Sequence, residues 1–130
     1  MNTIFTKIIN KEIPADIVYE DDLCIAFLDI NPVSYGHTLI VPKEEIQWLD
    51  QCEDDLVWHI FVVAKKIMCA MKKTLKADFV HIGVMGVEIP HTHIHVIPLM
   101  FDTQLTHRPT KQYKDPAHKE YYHQQIVSWL

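Results

Sequence analysis

Short segments in which apolar and polar residues alternate recur along the chain, and this pattern predicts strands. Five segments show it: DIVYE, CIAFLD, HTLIVP, FVHIGV and HTHIHVIPL, which begin at Asp16, Cys24, His37, Phe79 and His91. The run EDDL predicts a turn between the first two, and NPVSYG predicts a loop before the third. A tight connection that contains Gly83 and Gly86 joins the last two. Together the segments predict an antiparallel sheet.

A different spacing, close to 3.6 residues, runs from Asp54 to Leu75 and predicts the main helix. Acidic residues open this segment and KKTLK closes it, which suits the helix dipole. IFTKIIN near the start predicts a short helical turn that ends near Pro14, and Asp115 is placed to cap a helix that begins at Pro116. We expect an α+β fold with the helices on one side of the sheet.

The length of 130 residues suits one compact domain, and 48% hydrophobic with 22% charged residues is typical of a folded chain. We expect a single domain over residues 1–130. Its core, over residues 1–99, contains the two motifs described below, and residues 100–130 supply a polar loop (TQLTHRPTKQY) and the C-terminal helix.

Charge and hydropathy exclude several classes of partner. A net charge of −5 disfavours nucleic-acid binding, which requires clustered Lys and Arg. The longest apolar run, IFVVA, is far too short to span a membrane, and the start of the chain does not resemble a signal peptide, so we expect a cytoplasmic protein. Cys24, Cys52 and Cys69 are odd in number and widely spaced, which predicts reduced thiols.

The candidate chemistry lies in PHTHIHVIP, where His91, His93 and His95 occupy every second position and therefore share one face of a strand. Protonated imidazoles at this spacing repel each other, so we expect most of them to be neutral at pH 7. A neutral imidazole can bind a metal or act as a nucleophile or proton carrier. His37 opens a strand directly after a loop in YGHTLIVPK and is a fourth candidate.

These two motifs, in this order, make the chain from Thr3 to about Leu99 resemble the histidine-triad (HIT) family, and most closely its Hint-like branch of nucleotide phosphoramidases and hydrolases. The resemblance implies a HIT-like fold, with a five-stranded antiparallel sheet, one main helix and a C-terminal helix, that forms a homodimer. It also implies that His93 attacks the phosphorus of a nucleotide and forms a nucleotidyl-histidine intermediate that water cleaves.

The same resemblance assigns the other site residues. His91 and His95 would donate to the phosphate oxygens, and His37 would orient the cluster. Asp29 would accept hydrogen bonds from the ribose hydroxyls, and an apolar slot for the base would consist of Ile4, Phe5, Ile8, Phe27 and Ile30. The implied ligand is a purine nucleotide or a nucleoside phosphoramidate, and the mechanism requires no metal or other cofactor.

Two departures from the family pattern keep alternatives open. Some members hold a structural zinc with Cys-x-x-Cys and a later His, but Thr3, Thr6 and Glu45 occupy those positions here, so we expect no such zinc. The loop before the triad is short, and Val87 and Glu88 replace a polar pair that contacts the phosphate in typical members. A weakly active nucleotide-binding module therefore remains an alternative. A His-cluster metal protein is another, because the three alternating histidines and His37 could together bind a metal ion.

Overall fold

A computed structural model describes residues 3–103 and 109–130 of the chain. In chain order the elements are α1 (Ile4–Ile9), β1 (Ile17–Glu20), β2 (Cys24–Leu28), β3 (Thr38–Pro42), α2 (Asp54–Thr74), β4 (Phe79–Val84), β5 (Ile94–Leu99) and α3 (Pro116–Trp129). A single 3-10 turn, Leu49–Gln51, precedes α2. The strands form one antiparallel sheet in the order β1-β2-β3-β5-β4, which confirms the predicted α+β class and the five-stranded sheet.

The main helix covers one face of the sheet. Its buried residues Ile60, Val63 and Ile67 pack with Ile40 of β3 and Ile94 of β5 in a single apolar core. The last helix, α3, joins the same core through Ile126, which is fully buried. Two of the three helices, α2 and α3, therefore lie on the same side of the sheet.

The short helix α1 lies on the opposite face, and the expectation that all helices share one side is wrong. Phe5 and Ile8 of α1 pack against a second apolar cluster that includes Ile25, Phe27 and Leu39. Strands β2 and β3 are buried along their whole length, because alternate residues face α2 on one side and α1 on the other.

Strand β5 begins at Ile94, three residues later than predicted. β3 pairs with β5 only as far as the Ile40–Ile94 pair, so Val41 and Pro42 have ladder partners in β2 but none on the β5 side. The carbonyl of Pro42 instead accepts a hydrogen bond from the His91 ring. The stretch that carries His91 and His93 is therefore held outside the sheet ladder, by this ring bond and by the backbone bond from the N–H of Thr92 to the carbonyl of Ile46.

The C-terminal segment packs back onto the loop that precedes β3. The backbone N–H of Lys111 donates to the carbonyl of Pro32, and the side chain of Asp115 caps α3 as predicted, by accepting from the N–H of His118. Residues 104–108 of the predicted polar loop lie outside the described residues. Within the described ranges, none of the helices has both the length and the apolar character that crossing a bilayer requires.

Candidate active site

The ring of His93 lies at the entry to β5 with its proton fixed on one nitrogen. Its Nδ1 lies 2.7 Å from the backbone carbonyl of His91, and a carbonyl can only accept, so Nδ1–H is the donor. The neutral ring consequently carries a lone pair on Nε2. His93 keeps only 7% of its surface exposed and lies edge-on to the Phe5 ring, 4.9 Å between centroids. Nε2 is thus the atom with nucleophilic character.

A second chain of hydrogen bonds fixes the protons of His37 and His95. The backbone N–H of Val33 donates to Nδ1 of His37, so the neutral His37 ring has its proton on Nε2. That nitrogen lies 2.9 Å from Nδ1 of His95, which must accept. His95 therefore carries its own proton on Nε2 and can donate it, and its ring lies 5.0 Å from that of His93.

Gly36 directs the chain into His37. Its φ of +98° belongs to the left-handed region that glycine favours, and a Cβ at this position would lie 2.6 Å from Cδ1 of Leu75. The Gly36 N–H donates to the hydroxyl of Tyr113, which ties the loop to the C-terminal segment. A turn that only glycine fits therefore sets the position of His37.

The geometry conflicts with the predicted role of His91 as a donor to phosphate. The residue is completely buried, and both ring nitrogens are already bonded. Nε2–H donates to the carbonyl of Pro42 at 2.8 Å, so Nδ1 accepts from the Thr3 hydroxyl at 3.0 Å. Sequence spacing could not reveal this, because the Thr3 partner lies 88 positions away. His91 instead contributes its backbone carbonyl to His93.

Burial keeps three of the four imidazoles neutral. It lowers the pKa of His37 to about 3, with a smaller contribution from the neighbouring His95 and His93. It also lowers the pKa of His95 to about 4 and holds the pKa of His91 below its usual range. The expectation that most of these rings are uncharged at pH 7 agrees with this direction.

Asp29 and the predicted slot residues divide into a buried floor and an exposed rim. Phe5, Ile8 and Phe27 belong to the apolar cluster under α1, whereas Ile4 is 47% and Ile30 is 67% exposed.

Asp29 itself is half-buried, with Oδ1 accepting from the N–H of Asn31 and Oδ2 3.7 Å from Nε2 of His37. Burial raises its pKa, against the opposing effect of the Asn31 hydrogen bond. The carboxylate therefore lies beside the histidine cluster.

The connection between β4 and β5 carries the departures from the family pattern. Val87 is 68% exposed, and Glu88 is also exposed. Gly83 pairs with His95 across the two strands, which places His81, two residues earlier in β4, on the face of the sheet that carries His95. From the sequence, we expected His81 to be a surface or packing residue. The sequence signal that could have placed it on the face of His95 is that His81 and Gly83 are two positions apart in the same strand.

Two cavities lie elsewhere. One of about 420 Å³ is lined by Tyr35, Pro98 and Tyr122 among others, and one of about 530 Å³ by Trp48, Cys52 and Val84 among others. Neither is lined by a triad histidine.

Among residues 3–103 and 109–130, two groups of side chains could hold a metal ion. Atoms of Asp29, His37 and His95 lie within 4.8 Å of one another, but the two rings are already hydrogen-bonded to each other. Asp21 and His59 form the second group together with Cys24, yet the Asp21 carboxylate already accepts bonds from His59, from Tyr19 and from two backbone N–H groups.

The residues at the positions of the family's structural zinc do not suit that ion. Thr3, Thr6 and Glu45 come together, but hydroxyls replace the thiolates that zinc prefers. The hydroxyl of Thr6 donates to Glu45 at 2.6 Å, and the nitrogen of His91 that faces this cluster accepts from Thr3. Thr3, Thr6, Glu45 and His91 are therefore hydrogen-bonded to one another in place of a metal ion.

Comparisons with known proteins agree with this architecture. The HIT domain family model matches residues 10–102. An uncharacterised HIT-like protein of Borreliella burgdorferi is 46% identical over 102 residues, which is 73% of this chain and 73% of the relative. An uncharacterised HIT-like protein of Methanocaldococcus jannaschii is 46% identical over 100 residues, which is 73% of this chain and 77% of the relative.

Solved structures are similar over nearly the whole length. A HIT-like protein from Bartonella henselae, described as involved in cell-cycle regulation, has a TM-score of 0.87 and 31% identity and covers 99% of this chain and 97% of its own. A hypothetical histidine triad nucleotide-binding protein from Sulfolobus tokodaii has a TM-score of 0.84 and 30% identity, covering 97% and 90%. The family match and the relatives together establish that the chain belongs to the histidine-triad family.

Proposed function

We propose that the protein cleaves a bond at the α-phosphate of a nucleoside monophosphate derivative through a nucleotidyl-His93 intermediate. The observation that carries this proposal is the 2.7 Å hydrogen bond from His93 Nδ1 to the His91 carbonyl, which leaves Nε2 unprotonated and nucleophilic. The similarity to the hypothetical histidine triad nucleotide-binding protein from Sulfolobus tokodaii supports a nucleotide as the ligand.

In the first step His93 Nε2 forms a bond to phosphorus, and the bond from phosphorus to the leaving group breaks. The electron pair stays on the leaving nitrogen or oxygen, which takes up a proton from solvent. Nε2–H of His95, whose tautomer His37 fixes, donates to a phosphoryl oxygen as charge builds there. In the second step the oxygen of water attacks phosphorus and the water releases a proton to solvent. The bond to Nε2 breaks, its electron pair returns to Nε2, and neutral His93 is restored with the release of the nucleoside monophosphate.

The nucleoside half lies beside the cluster in this proposal. Asp29 accepts hydrogen bonds from the ribose hydroxyls, because its carboxylate lies next to His37 and has capacity beyond the bond from Asn31. The exposed side chains of Ile4 and Ile30 cover the two faces of a purine above the floor of Phe5, Ile8 and Phe27. Phosphoryl charge is met by imidazole donors, and the scheme uses no metal ion.

We also propose that the protein is a homodimer. α2 exposes Trp58 (76%), Phe61 and Val62 between an acidic first turn and the exposed Lys65 and Lys66. Antiparallel pairing of two such helices about Trp58–Val62 buries these apolar side chains and places the acidic first turn of each helix against the two lysines of the other. Light scattering at micromolar concentration should give twice the chain mass, and Trp58→Ser should shift it toward the monomer. A monomeric wild type contradicts the proposal.

We also propose a cytoplasmic location, on the basis of the composition of the chain. Fractionation of the producing cells with an antibody tests it. Recovery in the soluble cytoplasmic fraction supports the proposal, and recovery outside the cytoplasm contradicts it.

One specific observation favours a second candidate, a nucleotide-binding module with little turnover. The apolar Val87 and the acidic Glu88 stand where phosphate-contacting polar residues are expected, and both are exposed. Without those donors the phosphate is held less firmly, and turnover falls even though the nucleotide binds.

Incubation with adenosine 5′-phosphoramidate separates the candidates. The hydrolase releases AMP and ammonia, and His93→Ala abolishes release while AMP still binds by calorimetry. AMP binding without any product supports the module. Stoichiometric zinc or nickel in chelator-washed protein, lost in His37→Ala, favours a metal protein and overturns both.

A further inference from the structure

We propose that Thr3 and Glu45 are positioning residues, which act through a hydrogen-bonded cluster with Thr6 to hold His91 and thereby the tautomer of His93. The catalytic part of this inference rests on the proposed hydrolase function. The cluster occupies the positions that the resemblance assigns to the structural zinc of some family members, and it links three segments that are distant in sequence.

The hydrogen bonds of the cluster have a defined direction. Glu45 Oε1 accepts from the Thr3 backbone N–H at 3.1 Å and from the Thr6 hydroxyl at 2.6 Å. Thr3 Oγ1 accepts from the Thr6 backbone N–H at 3.2 Å, which caps α1. The Thr3 hydroxyl lies 3.3 Å from the Thr6 hydroxyl and 3.0 Å from His91 Nδ1, and its proton goes to the nearer His91 Nδ1, which has no proton of its own.

His91 has no alternative arrangement within this packing. Its ring is completely buried, and Nε2–H donates to the Pro42 carbonyl, so Nδ1 needs a donor. Thr3 is the residue that supplies it. Loss of that donor leaves a buried acceptor without a partner, and the ring can restore its bonds only by moving.

Movement of His91 would change the hydrogen bond that fixes the proton of His93. The same residue supplies the carbonyl that accepts from His93 Nδ1 at 2.7 Å. If this carbonyl shifts, the proton of His93 is free to move to Nε2, and the lone pair that attacks phosphorus is lost. The positioning of α1 is thereby coupled to the reactive nitrogen.

Glu45 anchors the end of the hydrogen-bonded cluster that lies farthest from His91. It lies in the connection between β3 and α2 and is exposed, yet its carboxylate binds the start of α1, 42 and 39 positions away. The bonds from Thr6 and Thr3 lower its pKa, so the carboxylate is ionised at neutral pH. An ionised acceptor orients both threonines toward His91.

Two matched pairs of variants test the proposal. Thr3→Val removes the hydroxyl and keeps the branched shape, whereas Thr3→Ser restores the donor. Glu45→Ala removes the acceptor, Glu45→Gln retains an acceptor oxygen, and Glu44→Ala is the exposed neighbouring control. The readouts are kcat and KM for adenosine 5′-phosphoramidate, and ¹⁵N chemical shifts of the His93 ring.

We expect Thr3→Val and Glu45→Ala to lower kcat roughly tenfold while KM changes little, as for supporting residues around other reactive centres. Thr3→Ser, Glu45→Gln and Glu44→Ala should stay near the wild type. In the two impaired variants the ¹⁵N shifts should show His93 sampling both tautomers.

The two readouts separate this inference from the proposed function. If no variant, nor the wild type, turns over substrate, the hydrolase proposal fails, while the ¹⁵N shifts still test the positioning. A wild-type His93 tautomer in folded Thr3→Val and Glu45→Ala overturns the inference, even if both melt at lower temperature. If Thr3→Val does not fold, Glu45→Ala decides by the same criterion.

Discussion

At the scale of single residues, the chemistry depends on where each imidazole proton lies. Hydrogen bonds from Val33 and to the His91 carbonyl assign the protons of His37 and His93, and that of His95 follows from its contact with His37. The result is one ring with a bare Nε2 beside another whose Nε2 carries a proton. A nucleophile and a donor thus arise from identical side chains.

This difference predicts the behaviour of two substitutions at His95. Removal of the donor in His95→Ala should lower kcat on the order of 100-fold, because the phosphoryl charge loses a preorganised hydrogen bond. In His95→Gln the side-chain amide N–H occupies the place of Nε2–H, so much of the rate should return. Steady-state kinetics with adenosine 5′-phosphoramidate measures both, and equal losses in the two variants would contradict the donor role.

The sequence predicted the four histidines as candidate site residues, but it did not predict which hydrogen bonds each ring makes. Strict alternation placed His93 and His95 on one face, and His95 does face the same side as Leu39 of β3. The sealed environment of His91 depends on Thr3 and Pro42, which no local spacing reveals. The sequence therefore could not predict hydrogen-bond partners that come from distant segments of the chain.

At the scale of elements, a single carboxylate organises the hairpin of β1 and β2. Asp21 Oδ1 accepts from the N–H groups of Leu23 and Cys24, and Oδ2 binds the Tyr19 hydroxyl at 2.7 Å and His59 of α2 at 2.6 Å. The turn predicted from EDDL is thereby also the point at which α2 is attached to the hairpin.

Asp21→Ala should consequently destabilise the fold by about 2 kcal/mol, since two backbone donors and two side chains lose their acceptor. The exposed neighbour Asp22 provides the control, and Asp22→Ala should change stability by less than about 0.5 kcal/mol. Urea unfolding followed by circular dichroism measures both. Similar stability for the two variants would show that the Asp21 bonds contribute little.

Sequence patterns predicted the three helices and the five strands but not the 3-10 turn at Leu49–Gln51, and the sides and ends of the elements depended on tertiary contacts. α2 was found over Asp54–Thr74, where the 3.6-residue pattern lies. The side of α1 depends on alternate residues of β2 and β3, both of which are apolar on each face, so the pattern could not choose. The late start of β5 follows from the end of pairing at Ile40, which belongs to the partner strand.

At the scale of the whole molecule, the buried histidines connect stability to pH. Burial lowers the pKa of His37 to about 3 and of His95 to about 4, and lowers that of His91, all from an ordinary value of 6.5. Below that value the unfolded chain binds protons that the native state refuses. The stability that these neutral rings contribute to the fold is thus fully present above pH about 6.5 and is lost as pH falls toward 4.

Stability should therefore fall between pH 7 and pH 5, by roughly 1 kcal/mol per pH unit for each of His37 and His95. The lowered pKa of His91 acts in the same sense, and the raised pKa of Asp29 acts in the opposite sense. Urea unfolding at several pH values tests the slope, and His37→Gln should flatten it. An unchanged slope in His37→Gln would contradict the burial of a neutral ring at this position.

The central claim, attack on phosphorus by His93, is tested most directly by stereochemistry at phosphorus. Each in-line displacement inverts the configuration, so a route through nucleotidyl-His93 involves two inversions. Hydrolysis of a P-chiral adenosine thiophosphoramidate in ¹⁸O-labelled water, followed by ³¹P NMR of the product, distinguishes the routes. We predict net retention; net inversion would show that water attacks directly and would contradict the proposed intermediate.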